Sequence, residues 1–197
     1  VTWAYSSKTI RMHLAARAIP SPSPLEALKF LNKSGIRRVA ALSLHIIAGA
    51  EYEKLGAAVA RFARGAGAFE KIALGPPLLA SRLDIERVAA ALLDGLPAGR
   101  RKDDAAVFVG HGNLDHRGDI AYRTAAKVFR SMDRLAFVVT LKGRPAIEDA
   151  IGACIEAGAR RVFMSPLMMV AGRHATRDIA GANPESLCEV VRKAGLK

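Results

Sequence analysis

The chain has 197 residues, and its 30 Lys and Arg against 18 Asp and Glu give a net charge of +12. A hydrophobic fraction of 51% with 24% charged residues excludes wholesale disorder. No run of about 18 apolar residues is present to span a bilayer, and two cysteines, Cys154 and Cys188, exclude a disulfide framework. The cysteine usage points to a reducing compartment, expected to be the cytoplasm; a leader lost with the start of the chain would leave no trace here. The charge suits an anionic partner such as nucleic acid, an acidic membrane surface or a polycarboxylate small molecule.

In chain order, short apolar runs at Val1–Tyr5, Val39–Leu44, Ile72–Leu74, Val107–Val109, Phe137–Leu141 and Val162–Met164 read as strands. They are apolar at every position rather than at alternate ones, which predicts parallel sheets covered on both faces. Amphipathic helical segments lie between them. Ser23-Pro24-Leu25-Glu26 supplies an N-cap, a proline at the first helical position and a capping-box glutamate, and Asn183-Pro184-Glu185 opens the last helix similarly. Gly35, Gly158 and Gly195 each follow a helical segment where a left-handed residue is needed. The alternation predicts a doubly wound α/β fold.

A repeat subdivides the pattern. Residues Gly35–Gly49 align without gaps on Gly158–Gly172, with seven of fifteen positions identical, including the Ala-Gly that follows the strand. This predicts two similar doubly wound parallel-sheet halves, 1–100 and 101–197, joined at Pro97–Asp104. Comparing the halves, the first lacks an opening strand-helix unit and the second lacks a closing strand. The strand edges so exposed would favour association into a homo-oligomer.

Ligands of parallel α/β sheets bind beyond the carboxyl ends of the strands, and three of the five histidines fall there. His111 follows Val107–Gly110 between two glycines, His45 closes the strand Val39–Leu44, and His174 lies in the loop after Val162–Met168. The flanking glycines let the backbone turn and a bulky ligand approach the imidazole. Two histidines facing one cleft could bind a divalent metal, act as acid and base, or both. The chain has no GxSxG, P-loop, GxGxxG or cysteine-based metal motif, so hydrolase, kinase and dinucleotide readings lose support.

Val109-Gly-His-Gly112, Ser43-Leu-His-Ile46, Leu74-Gly-x-Pro-Leu78, Ser165-Pro-Leu-Met168 and Val170-Ala-Gly-x-His-Ala175 together resemble the anaerobic cobaltochelatase family. These are class II enzymes that insert a metal into sirohydrochlorin during cobalamin biosynthesis. The opening Ala4-Tyr-Ser-Ser-Lys-Thr-Ile10 resembles that family's second strand and the helix after it, so the likeness runs the length of the chain. It implies two α/β halves around a central cleft, with His111 as metal ligand and proton acceptor and His174 as a second ligand. It implies Co²⁺ as substrate metal, with Fe²⁺ or Ni²⁺ as alternatives, and no organic cofactor. The family's third ligand, a glutamate, falls at Lys142, and the acidic residue usual before the second histidine is Arg173. Both departures remove negative charge from a site that must attract a dication. They leave Lys142 and Arg173, with Ser6, Ser7 and His45, as candidates for binding the anionic tetrapyrrole.

Two other readings compete with an active chelatase. One keeps the fold as a tetrapyrrole-binding relative with impaired metal insertion. The other is charge-driven nucleic-acid binding, which the low aromatic content of 6% disfavours, since it offers few stacking platforms.

Overall fold

The structure is a computed structural model and describes residues 1–64, 68–112, 116–170 and 172–197. Ala171 of the repeated Ala-Gly lies outside the described residues, as do the side chains of residues 116–119, His116 among them. The chain divides into two compact units, Val1–Pro77 and Leu78–Lys197.

The first unit holds helix α1 (Lys8–Ala15), α2 (Pro24–Lys33), strand β1 (Arg38–Ala41), α3 (Ala50–Ala63) and β2 (Lys71–Leu74). Helix α2 starts as its sequence dictates: Ser23 accepts from the Glu26 N–H while the Glu26 carboxylate accepts from the Ser23 N–H. Strands β1 and β2 pair in parallel, Val39 beside Ile72 and Ala41 beside Leu74. These residues pack with Leu28, Ala58, Val59 and Phe69 in one core. Arg38, Ala40, Lys71 and Ala73, on the alternate face, are exposed. Coverage on both faces, expected from the apolar runs, therefore does not hold in this unit.

Two expected strands are corrected here. Residues 1–5 form no strand: Val1–Ala4 are exposed, and Tyr5 N–H donates to the Pro22 carbonyl at 2.9 Å. A strand exists by pairing, and among the described residues no segment pairs with this one. The run Val39–Leu44 stops pairing at Ala41, leaving Leu42 and Leu44 largely exposed.

The second unit contains α4 (Arg82–Asp94), β3 (Ala105–Gly112), α5 (His116–Met132), β4 (Ala136–Lys142), α6 (Ile147–Glu156), β5 (Val162–Pro166), a π-helical turn (His174–Ile179) and α7 (Leu187–Lys193). Its three strands are parallel in the order β4-β3-β5. Val107 and Val109 of β3 join Phe137 and Val139 of β4 in a core closed by Ile147, Cys154, Ile179 and Val191. On the other face Phe108 meets Phe129 of α5 with ring centroids 4.9 Å apart. Both faces of this sheet are covered, as near-continuous apolar strands require. Helix α4 lies against α5 and so groups with the second unit, whereas the repeat drew the joint after it, at Pro97–Asp104.

Gly35, Gly158 and Gly195 all take positive φ, between 73° and 84°, at helix ends. The repeat has a counterpart in hydrogen bonding. Lys71 N–H donates to the Arg37 carbonyl, and Lys197 N–H donates to that of Arg160, the residue aligned with Arg37.

Candidate metal and substrate site

The π-helical turn begins at His174, and β3 delivers His111 at its carboxyl end. From 63 positions apart in sequence, the two rings come together with centroids 4.8 Å apart at an interplanar angle of 73°. The alternation of β3 puts His111 on the face of Val107 and Val109, which is also the face that carries the π-helical turn.

Each imidazole is oriented through Nδ1. In His111 this nitrogen lies 2.9 Å from the Gly112 carbonyl, which can only accept, so Nδ1 carries the proton and Nε2 keeps its lone pair. In His174 it lies 2.5 Å from Oδ2 of Asp178, and the same logic leaves Nε2 free. The hydrogen bond from His174 holds the Asp178 carboxyl below the usual carboxylate range, against the opposing effect of burial. Among the described residues no group of three or more His, Cys, Asp or Glu side chains is gathered to hold a metal.

The glycines beside His111 serve the protein's own packing. A Cβ on Gly110 would lie 2.3 Å from Cε1 of Tyr122, whose buried ring fills that space. Gly112 has φ +74°, and a Cβ there would lie 1.8 Å from the Lys142 carbonyl oxygen. Burial raises the pKa of Tyr122, partly offset by the backbone N–H groups of Gly112 and His111 that face its hydroxyl. Tyr122 thus supports the strand end that presents His111. Sequence reasoning missed it, because a tyrosine on an amphipathic helix carries no signal of the strand it will meet.

Lys142 is the register partner of Gly112, and Gly110 pairs with Thr140, so the β4 residue beside His111 is Leu141. In the alternation of β4, Lys142 falls on the face of Val138 and Thr140, opposite the one His111 occupies. Arg173 is exposed at the start of the π-helical turn, immediately before His174. Asp178 also escaped the sequence reading. Its one signal was the spacing of four residues after His174, which on a helical turn brings the two side chains together.

The first unit holds the other candidates. His45 is clamped at both ring nitrogens, Nε2 lying 3.0 Å from the Ser6 hydroxyl and Nδ1 3.0 Å from that of Ser43. Its ring meets Tyr52 edge-on at 6.0 Å. Burial lowers the His45 pKa, opposed by the charge of Glu51, so the ring is neutral at neutral pH. The Ser43 hydroxyl also accepts the His45 backbone N–H at 3.2 Å. Ser7 does a different job, accepting from the Ile10 N–H as the N-cap of α1.

Parallel strands with helices between them, and a pair of imidazoles at the carboxyl end of one sheet, define a chelatase-like α/β protein. The chain belongs to the cobalt chelatase (CbiK) family, whose profile matches residues 1–197. It is 40% identical over all 197 residues to sirohydrochlorin cobaltochelatase CbiKC of Nitratidesulfovibrio vulgaris, covering 69% of that protein. It is 34% identical over 194 residues to the sirohydrochlorin cobaltochelatase of Salmonella typhimurium, covering 98% of this chain and 72% of the relative. A shorter match, 27% over 89 residues, spans 44% of this chain and 40% of the chloroplastic sirohydrochlorin ferrochelatase of Arabidopsis thaliana.

Proposed function

We propose that this chain inserts Co²⁺ into sirohydrochlorin, with His111 and His174 as ligands for the incoming ion. The observation that carries the reading is the pair of imidazoles 4.8 Å apart, each with Nδ1 hydrogen-bonded and Nε2 without a hydrogen-bond partner among the described residues, in a member of the cobalt chelatase family. Neutral imidazoles hold a divalent first-row metal more loosely than thiolates would, so the ion can be passed on. Insertion exchanges a dication for the pyrrole N–H protons: Co²⁺ enters, two protons leave, and the macrocycle gains no net charge. In this reading His111 Nε2 releases the ion and accepts one of those protons, and the other passes to solvent.

The exposed Lys142 and Arg173 of the second unit would meet substrate carboxylates. Fe²⁺ and Ni²⁺ are the alternative metals, iron being the metal named for the chloroplastic relative. The expected setting is cytoplasmic, in line with two free cysteines, and a homo-oligomer is the expected assembly. Among the described residues no helix is long and apolar enough to cross a membrane.

The test is the anaerobic absorption spectrum of sirohydrochlorin on mixing with Co²⁺ and protein, beside a His111→Ala control. A protein-dependent shift to the metallated spectrum that the control abolishes is the expected result. Equal rates with and without protein would overturn the reading.

A further inference from the structure

The two imidazoles of the pair differ in what holds them. The His111 Nδ1–H meets a neutral carbonyl, and that of His174 meets a carboxylate. Among the described residues Asp178 is the one acidic side chain in contact with either ring. Arg173, adjacent to His174 in sequence, brings the opposite sign, and Lys142 carries another positive charge on the opposite face of the sheet.

We propose that Asp178 is the positioning residue for metal capture, making His174 the anchoring ligand and leaving His111 the one that exchanges metal for proton. The inference rests on the functional reading above. An acceptor behind a histidine fixes its tautomer and ring orientation and raises its strength as a donor, and a charged carboxylate raises that strength more than a neutral carbonyl does. Asp178 therefore returns, one imidazole ring and one hydrogen bond further from the ion, negative charge that the Lys142 and Arg173 positions lack. It also makes the pair unequal, as a handover requires: one ligand must release first.

The turn is built to hold this geometry. Ile179, next to Asp178, is buried in the core beneath β3 and β5. The Asn183 side-chain amide donates to the Arg177 carbonyl at 2.8 Å, and the buried Ser186 hydroxyl donates to the Gly181 carbonyl at 2.6 Å. A Cβ on Gly181 would lie 2.2 Å from the Arg177 carbonyl oxygen, so the chain closes tightly there. These contacts pin the end of the turn that carries Asp178.

The test measures Co²⁺ affinity of the free protein by calorimetry, together with kcat and the separate KM values for Co²⁺ and sirohydrochlorin. Asp178→Ala should weaken Co²⁺ binding about 10- to 100-fold and raise the KM for Co²⁺ in parallel. The KM for sirohydrochlorin should stay put. Asp178→Asn, which keeps an acceptor but drops the charge and is nearly isosteric, should fall between the two, and Asp178→Glu should recover part of the loss. In a His174→Ala background, Asp178→Ala should add nothing further. Parental affinity in Asp178→Ala or Asp178→Asn, or the same weakening with and without His174, would overturn the inference. A parental protein that binds Co²⁺ but inserts none overturns the functional reading alone, and one that binds no Co²⁺ overturns both.

Discussion

At the scale of single residues, His111 and His174 work at the surface rather than in the core, His111 being exposed and His174 partly so. Replacing either should therefore change function far more than stability. His111→Ala is expected to remove nearly all insertion and His174→Ala to reduce it severely, with unfolding free energies within about 0.5 kcal/mol of the parent. Insertion assays beside thermal melts check both, and parental insertion rates would place the chemistry elsewhere. Lys142 tests the charge of the site from the opposite face of the sheet. A lysine stem can swing its ammonium away from an ion, and at about 10 Å the repulsion is already cut by salt. Lys142→Glu should tighten Co²⁺ binding by roughly tenfold and Lys142→Ala by about half that on a logarithmic scale. Identical affinities in a calorimetric titration would mean that the side chain points away from the ion throughout.

At the scale of elements, the end of β3 depends on two glycines for separate reasons. Gly110→Ala forces a methyl into the Tyr122 ring, an overpacking expected to cost about 1–3 kcal/mol. Tyr122→Leu, though destabilising by itself, should make Gly110→Ala less harmful, and urea unfolding of the double mutant would show it. If the two effects simply add, the ring is not the obstacle. Gly112→Ala has no such escape, because it combines positive φ with a backbone clash. The helix-ending glycines isolate the conformational part: nothing lies within 4 Å of a Cβ built on Gly35 or Gly158. Gly35→Ala and Gly158→Ala should each lose about 1–2 kcal/mol from the left-handed backbone alone, and equal losses at the two sites would match their equivalent places in the repeat.

At the scale of the molecule, the second unit is tied by carboxylates held in their charged form. Asp104 accepts from Arg161 at 2.6 Å and from the Arg101 N–H at 2.7 Å, and chiefly the Arg161 bond lowers its pKa. Burial alone would raise that of Asp133, but its bond to Arg100 and the Leu135 N–H bring the net shift down. Groups with depressed folded pKa values stabilise above the unfolded value, near 3.9, and lose that contribution as pH falls through the folded one. The unfolding midpoint should hold steady down to about pH 4 and drop below it, and Asp104→Asn should flatten the drop while lowering stability at neutral pH. A midpoint equally acid-sensitive in Asp104→Asn would remove Asp104 from the account. By itself the sequence determined the α/β alternation, the capped helix starts, the left-handed glycines at helix ends and the histidines worth attention. Those signals act over a few residues, through backbone sterics and period. Only the tertiary structure decided that residues 1–5 pair with no strand among the described residues, that Leu141 rather than Lys142 sits beside His111, that Tyr122 occupies the space above Gly110, and that Asp178 holds His174. The first two depend on strand register, which only the pairing of distant segments sets. The last two depend on how a helix face and a π-helical turn meet other groups in space, and local propensity leaves that geometry open.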